Sequence, residues 1–413
     1  MQGDKTCPRC GQIIPRGEGD CPYCANPIPL NLRRETTLLL SLIFLGVVFA
    51  FTAVIVRAYK RQQLALGGHW YTRGEAAMKA GSPQEALVDF RTALRHSPDN
   101  SAYQLRFAQA LIDAGKLDEA RIYLIRLWQT NPADGQVNLE LARVAERRDN
   151  VPQVVNYFHN AIDGVWPAND EQQHLTLRER LCRYLIQQNH RPEALAELAA
   201  LAAQAPNSPR VLTRVGGLSL QVPDYAMALK QFRRSLHLDA KQPLAWEGAG
   251  KAAFAQGDYH EARYFLSHAS QEGNSEAARL LETTDTILQI NPFDTKLPMA
   301  VRRRRVQIAF ARALDRLQEC ATTLHVSLTA PTSPSSKQDQ PTTTSSPLEK
   351  VYAEAVALKP KVTERSLSQN PDLMNSVMNL VFNIEQISAQ QCGPPHGMDL
   401  ALSLLATQNG GSP

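Results

Sequence analysis

With 413 residues, 43% hydrophobic and 20% charged, the chain has the composition of a globular protein and length for more than one domain. A net charge of +4 is too mild to argue for a nucleic-acid partner, and aromatics are few at 7%. Four of the seven Cys lie at or before Cys24, whereas Cys182, Cys320 and Cys392 stand far apart, so cysteine serves two separate purposes.

The first element is Cys7-Pro-Arg-Cys10 followed by Cys21-Pro-Tyr-Cys24, two Cys-x-x-Cys turns with a short loop between them. Each turn points two thiolates the same way, and two such turns close a tetrahedral site suited to Zn²⁺ at about 2.3 Å per bond. So small a piece builds no core without a metal, whose binding would then drive folding. Two disulfides or a redox Cys-x-x-Cys are the alternative uses of the same residues. Residues 1–30 resemble the small bacterial zinc ribbons, which implies a structural Zn²⁺ held by Cys7, Cys10, Cys21 and Cys24 with no open position. Lys5, Arg9 and Arg16 are balanced by Asp4, Glu18 and Asp20, so no nucleic-acid partner is expected.

From Thr36 to Val56 the chain carries no charge and only Ser and Thr as polar side chains. At about 1.5 Å per residue a helix of this length covers the roughly 30 Å hydrocarbon core of a bilayer. A cleaved signal peptide would lie nearer the start and be shorter, so residues 36–56 read as an uncleaved single-pass transmembrane helix. Lys5, Arg9, Arg16, Arg33 and Arg34 before it nearly balance Arg57, Lys60, Arg61 and Arg73 after it, and charge leaves the orientation undecided. Thiolate chemistry decides it: an unpaired four-Cys site persists in a reducing cytosol. The expected arrangement is a bacterial inner (cytoplasmic) membrane protein with a cytosolic N-terminus and the remainder extracytoplasmic.

After the span, self-similarity at a period of ~34 residues dominates. Trp70, Gly74, Ala77, Ala86, Phe90, Ala93 and Pro98 begin it; Ala108, Leu111, Gly115, Ala120, Leu124, Leu127 and Pro132 repeat it; Leu141, Ala142, Ala145, Val154, Phe158 and Ala161 form a third unit. The period breaks around Asn169–His174. It resumes with Leu181, Cys182, Leu185, Ala194, Leu198, Leu201 and Pro206, then Gly216, Tyr225, Ala228, Phe232 and Ser235, then Trp246, Gly250, Gly257, Tyr259, Ala262, Leu266 and Ala269. Residues 67–276 thereby resemble the tetratricopeptide repeats, although Pro167 falls one place late and Pro223 stands where Gly is usual. The resemblance implies a mainly α fold, a tetratricopeptide (TPR) α-solenoid over residues 67–290 with 277–290 as a capping helix. It also implies a concave surface, lined by each unit's first helix, that binds peptides or other proteins. Projected onto this chain, the groove-facing positions are Arg143, Arg147, Arg183, Gln187, Arg210 and Thr213. Their basic character suits an acidic segment or a terminal carboxylate; plain solvation of the same helix faces is the other reading. Cys182 occupies a small-residue packing position and reads as a buried thiol.

Residues 298–326 form a long amphipathic helix that opens with Arg302-Arg303-Arg304-Arg305. Consecutive helical residues point in different directions, so these read as solvated arginines, some paired with acids. Residues 328–347 are rich in Ser, Thr and Pro and are expected to be a disordered loop. A helical segment returns over 348–408, in stretches 348–358, 371–388 and 398–406. Cys320 and Cys392 flank the loop and become disulfide partners in an extracytoplasmic location. No nucleophile elbow, phosphate loop or His-rich metal motif appears, so no enzyme is expected. The expected function is a membrane-anchored scaffold for protein–protein interaction in bacterial envelope assembly or secretion. The alternatives are a zinc-ribbon metal or nucleic-acid sensor signalling through the membrane and an all-cytosolic membrane-tethered adaptor.

Overall fold

A computed structural model describes residues 5–14, 18, 20–24, 32–167, 171–271, 273–328 and 346–409. The predicted Ser/Thr/Pro-rich loop lies almost wholly outside these residues, as do residues 168–170 of the break in the repeat. The chain divides into two compact units, Met1–Val165 and Trp166–Pro413.

In the first unit, strands β1 (Lys5–Thr6) and β2 (Ile13–Ile14) pair antiparallel, Lys5 opposite Ile14 and Thr6 opposite Ile13. Helices follow: α1 (Leu32–Lys79), α2 (Pro83–His96), α3 (Ser101–Asp113), α4 (Leu117–Thr130), α5 (Gly135–Glu146) and α6 (Val151–Ile162). The helix that carries the apolar stretch does not end before the array. Between Val56 and Gly67 no Pro or Gly interrupts the chain, and α1 runs unbroken from Leu32 through the first helix of the first repeat. Asn100, Asp134 and Asn150 cap α3, α5 and α6 by accepting hydrogen bonds from backbone N–H groups of the first turn.

The second unit contains α7 (Glu171–Gln187), α8 (Arg191–Gln204), α9 (Pro209–Gln221), α10 (Tyr225–Leu238), α11 (Pro243–Gln256), α12 (Tyr259–Gln271) and α13 (Ser275–Ile290). It continues with α14 (Met299–Thr323), α15 (Pro347–Leu358), α16 (Glu364–Gln369), α17 (Pro371–Cys392) and α18 (Gly397–Gln408). Ser346 and Glu349 form a reciprocal capping box at the start of α15.

The repeat positions read from the sequence are the buried ones. Phe90, Leu111, Leu124, Leu141 and Phe158 in the first unit, and Leu181, Leu198, Phe232 and Leu266 in the second, are at most 2% exposed. Small residues allow the close approach that buries them. A Cβ at Gly74 would meet Phe90 at 2.6 Å, and one at Gly250 would meet Leu266 at 2.6 Å. The turn between the two helices of a unit needs a left-handed residue. Gly81, Gly115 and Asp149, then Asn189, Pro223 and Gly257, all have positive φ there.

Helix α13 does more than cap the stack. Ile287 and Ile290 share a core with Val306, Phe310 and Leu317 of α14, Val377, Val381 and Ile384 of α17, and Leu402 and Leu405 of α18. The C-terminal helices therefore extend the buried core of the second unit. The four-Arg run serves this junction. Arg302 Nε donates to the Pro292 carbonyl (2.6 Å) and Arg305 Nη1 to the Asn291 carbonyl (2.8 Å), satisfying main-chain acceptors that α13 leaves at its end. Of the expected acid pairings, Arg303 has Glu364 at 3.9 Å.

Candidate functional sites: a four-cysteine cluster and the repeat faces

Cys7 and Cys10 flank the turn after β1, and Cys21 and Cys24 flank a second turn. The four sulfurs lie within 4.8 Å of one another. Cys7 Sγ is 3.4 Å from Cys24 Sγ, and Cys10 Sγ is 3.6 Å from Cys21 Sγ. A tetrahedral metal with bonds of about 2.3 Å places its sulfurs roughly 3.8 Å apart, so the donor set fits one metal ion that takes four thiolates. Backbone N–H groups of Arg9 and Cys10 lower the Cys7 thiol to about 6, favouring the thiolate a metal requires. The local core is Cys7, Ile14 and Cys21 with Cys24 against it, and among the described residues it includes none from a helix.

Cys182 is fully buried and burial pushes its thiol up to about 12, so it packs as a small apolar group. Cys320 and Cys392 are joined as a disulfide across the ends of α14 and α17, with Cα atoms 5.6 Å apart.

The repeat faces hold a pattern that the residue types alone did not reveal. Arg143 donates to Glu140 Oε2 (2.7 Å) on its own helix and to Asp113 Oδ1 (2.8 Å) on α3, and Gln109 of α3 donates to Glu140 Oε1 (2.9 Å). One repeat earlier, Arg106 of α3 pairs with Glu75 of α1 at 3.0 Å. In the second unit Arg183 pairs with Glu179 on α7, which Arg214 of α9 also approaches at 3.4 Å. Lys251 of α11 bridges Glu247 and Glu276 of α13. First helices of successive repeats are thus laced by ion pairs; of the predicted groove cations, Arg143 takes part in one, and Arg183 pairs with Glu179 on its own helix. Thr213 bonds Ser235 Oγ (2.8 Å) inside its own repeat. Arg147, Gln187 and Arg210 are exposed, and neither arginine has an acidic partner among the described residues.

Helix pairs joined by left-handed turns, sealed by a small-residue seam and stacked in register, define a helical-repeat protein. Residues 77–144 match a tetratricopeptide-repeat family model, and residues 220–277 match a second one. Residues 77–144 and 220–277 are thus tetratricopeptide repeats, and the described residues add an N-terminal four-Cys cluster and one long apolar helix. Among characterised relatives, DnaJ homolog subfamily C member 3 of Mus musculus is 22% identical over 187 residues, 41% of this chain and 36% of that protein. Its Homo sapiens counterpart is 23% identical over 186 residues, with the same shares. The chain spans about a third of the length of these relatives. Solved structures with similar folds include a tetratricopeptide repeat protein from Parabacteroides merdae (13% identity, 59% of this chain and 91% of that one, TM-score 0.36). Another is the C-terminal part of a TPR repeat-containing protein from Cytophaga hutchinsonii (14%, 57% and 93%, TM-score 0.41). A third is PilW, described as a type IV pilus biogenesis factor (16%, 52% and 98%, TM-score 0.36).

Proposed function

We propose that the chain is a membrane-anchored scaffold that binds other proteins through its tetratricopeptide repeats, in the service of bacterial envelope assembly or secretion. The observation that carries the anchoring is α1, whose apolar part has a mean hydropathy of 2.8 and is covered by none of the other described residues. Phe44, Phe49 and Val54 are 71%, 76% and 61% exposed, an arrangement that water disfavours and a bilayer satisfies.

The two uses of cysteine support the orientation. An unpaired thiol cluster precedes the apolar stretch and a paired Cys320–Cys392 follows it, and the two chemistries belong to compartments of opposite redox character. The four thiolates would hold one structural Zn²⁺, an ion suited to closed four-sulfur sites, and no position is left for a substrate. Of the predicted groove cations, Arg147 in the first unit and Arg210 in the second have no acidic partner among the described residues and are each available to an acidic segment, whereas Arg143 and Arg183 are paired.

Alkaline carbonate extraction together with maleimide labelling of intact spheroplasts tests this. The protein should stay in the membrane pellet, and peptides around Cys320 and Cys392 should be recovered disulfide-linked. Release into the supernatant overturns the anchor; free thiols at Cys320 and Cys392 favour the all-cytosolic adaptor. Arg147→Glu and Arg210→Glu should reduce crosslinked partners recovered from membranes, with unchanged recovery arguing against an acidic ligand.

A further inference from the structure

The unbroken α1 fixes where the first repeat stands relative to the end of the apolar stretch. Gln63 lies about 10 Å beyond Val56 along the helix at ~1.5 Å per residue. Gln63 Oε1 is 2.6 Å from His96 Nδ1 at the end of α2. A Cβ at Gly67 would meet Ser97 Oγ at 3.2 Å and the Tyr103 ring at 3.4 Å. Helix α2 therefore runs back along α1 toward the apolar stretch, and the α2–α3 turn sits beside Gln63–Gly67, about 10–17 Å beyond Val56.

The intervening surface is basic. Arg57, Lys60 and Arg61 are spaced i, i+3 and i+4, hence on one face of α1, and all are exposed. No acidic side chain pairs with them among the described residues. Arg95 next to His96 is also exposed and bonds Thr92 Oγ1 (3.0 Å). The first acid after the span on α1, Glu75, is engaged by Arg106, and Asp99 in the α2–α3 turn is the opposing charge. The headgroup layer extends roughly 5–8 Å beyond each side of the hydrocarbon core. Arg57, Lys60 and Arg61 fall within about 1.5 to 8 Å of the last apolar residue, inside that layer and within a Debye length of its phosphates.

We propose that Arg57, Lys60 and Arg61 of α1 form a binding surface for anionic phospholipid headgroups that seats the first repeat on the membrane. This rests on the reading of Thr36–Val56 as a span. The occupant is a lipid because the cations continue directly from the apolar helix and are fixed at headgroup depth. Seating orients the array, since no hinge separates the span from the first repeat.

The test uses the full chain, delipidated in detergent and titrated with phosphatidylglycerol or phosphatidylcholine, with bound lipid counted by native mass spectrometry. Phosphatidylglycerol should be retained preferentially, and Lys60→Gln with Arg61→Gln should weaken it by about fivefold per cation removed. Inorganic phosphate at millimolar concentration should not displace it; displacement would mean a simple anion site. Equal retention of both lipids, or a variant that binds like the parent, overturns the surface. Carbonate extraction of the same variant separates the two readings: a membrane-integral protein without lipid preference loses only the headgroup surface, and a released protein loses the span as well.

Discussion

Gly248 on α11 lies so close to Phe232 on α10 that a Cβ there would stand 2.2 Å from the ring's Cζ. Gly216 on α9 approaches the same ring from the preceding helix, with a Cβ at 2.9 Å. Phe232 is therefore clamped between the first helices of two successive repeats, and the missing side chains at both glycines set the spacing of the stack. Gly248→Ala should lower the stability of the second unit by about 1–3 kcal/mol through overpacking, since a 2.2 Å contact forces a backbone or ring shift. Phe232→Leu in the same background should recover part of that loss. Urea midpoints followed by circular dichroism give the comparison, and an unchanged Gly248→Ala midpoint would show that the helices are free to separate there.

Glu385 is 1% exposed in the C-terminal core, with Arg316 Nε 3.3 Å away and no hydrogen-bond donor on either carboxylate oxygen. Burial first, with Asp399 adding to it and Arg316 opposing, pushes its carboxyl up to about 8. Because the folded pKa lies above the unfolded one, the proton is held more tightly in the native state. Glu385 thus favours the fold fully below about pH 4.3, and that contribution declines as pH rises to about 8. Glu385→Gln should flatten the stability profile over this window and match or exceed the parent at pH 8. A parent profile that rises from pH 5 to 8 because of Glu385 would contradict the burial argument.

The four-Cys cluster is a closed local unit, so its metal should matter locally. Purified protein should carry one zinc per chain, and Cys10→Ser or Cys21→Ser should reduce the zinc content below half by elemental mass spectrometry. Stripping the metal with a chelator should leave the helical signal near 222 nm and the main thermal transition unchanged, because among the described residues Cys7, Ile14, Cys21 and Cys24 pack with none from a helix. A large loss of helix on metal removal would mean that the cluster supports the array.

Much of this architecture was legible residue by residue. Phe90, Leu124, Phe158, Leu198, Phe232 and Leu266 recur at the same place in their repeats, and each is buried, because a helix pair can bury only the face its own spacing provides. The Cys-x-x-Cys turns and the apolar stretch were equally plain, since both signals are local. The unbroken path from Val56 into the first repeat had a signal as well, the lack of any breaker before Gly67.

The chain's order of residues determined which elements form and which positions face inward, because those depend on spacing within one or two turns. Only the tertiary structure decided what the polar groups do. Arg143 meets Asp113 from the preceding repeat, Arg302 and Arg305 meet the carbonyls ending α13, and Arg316 meets Glu385 and Asp399 from two later helices. A charged side chain selects its partner from whatever stacking brings within about 4 Å, and stacking joins residues that no local periodicity relates.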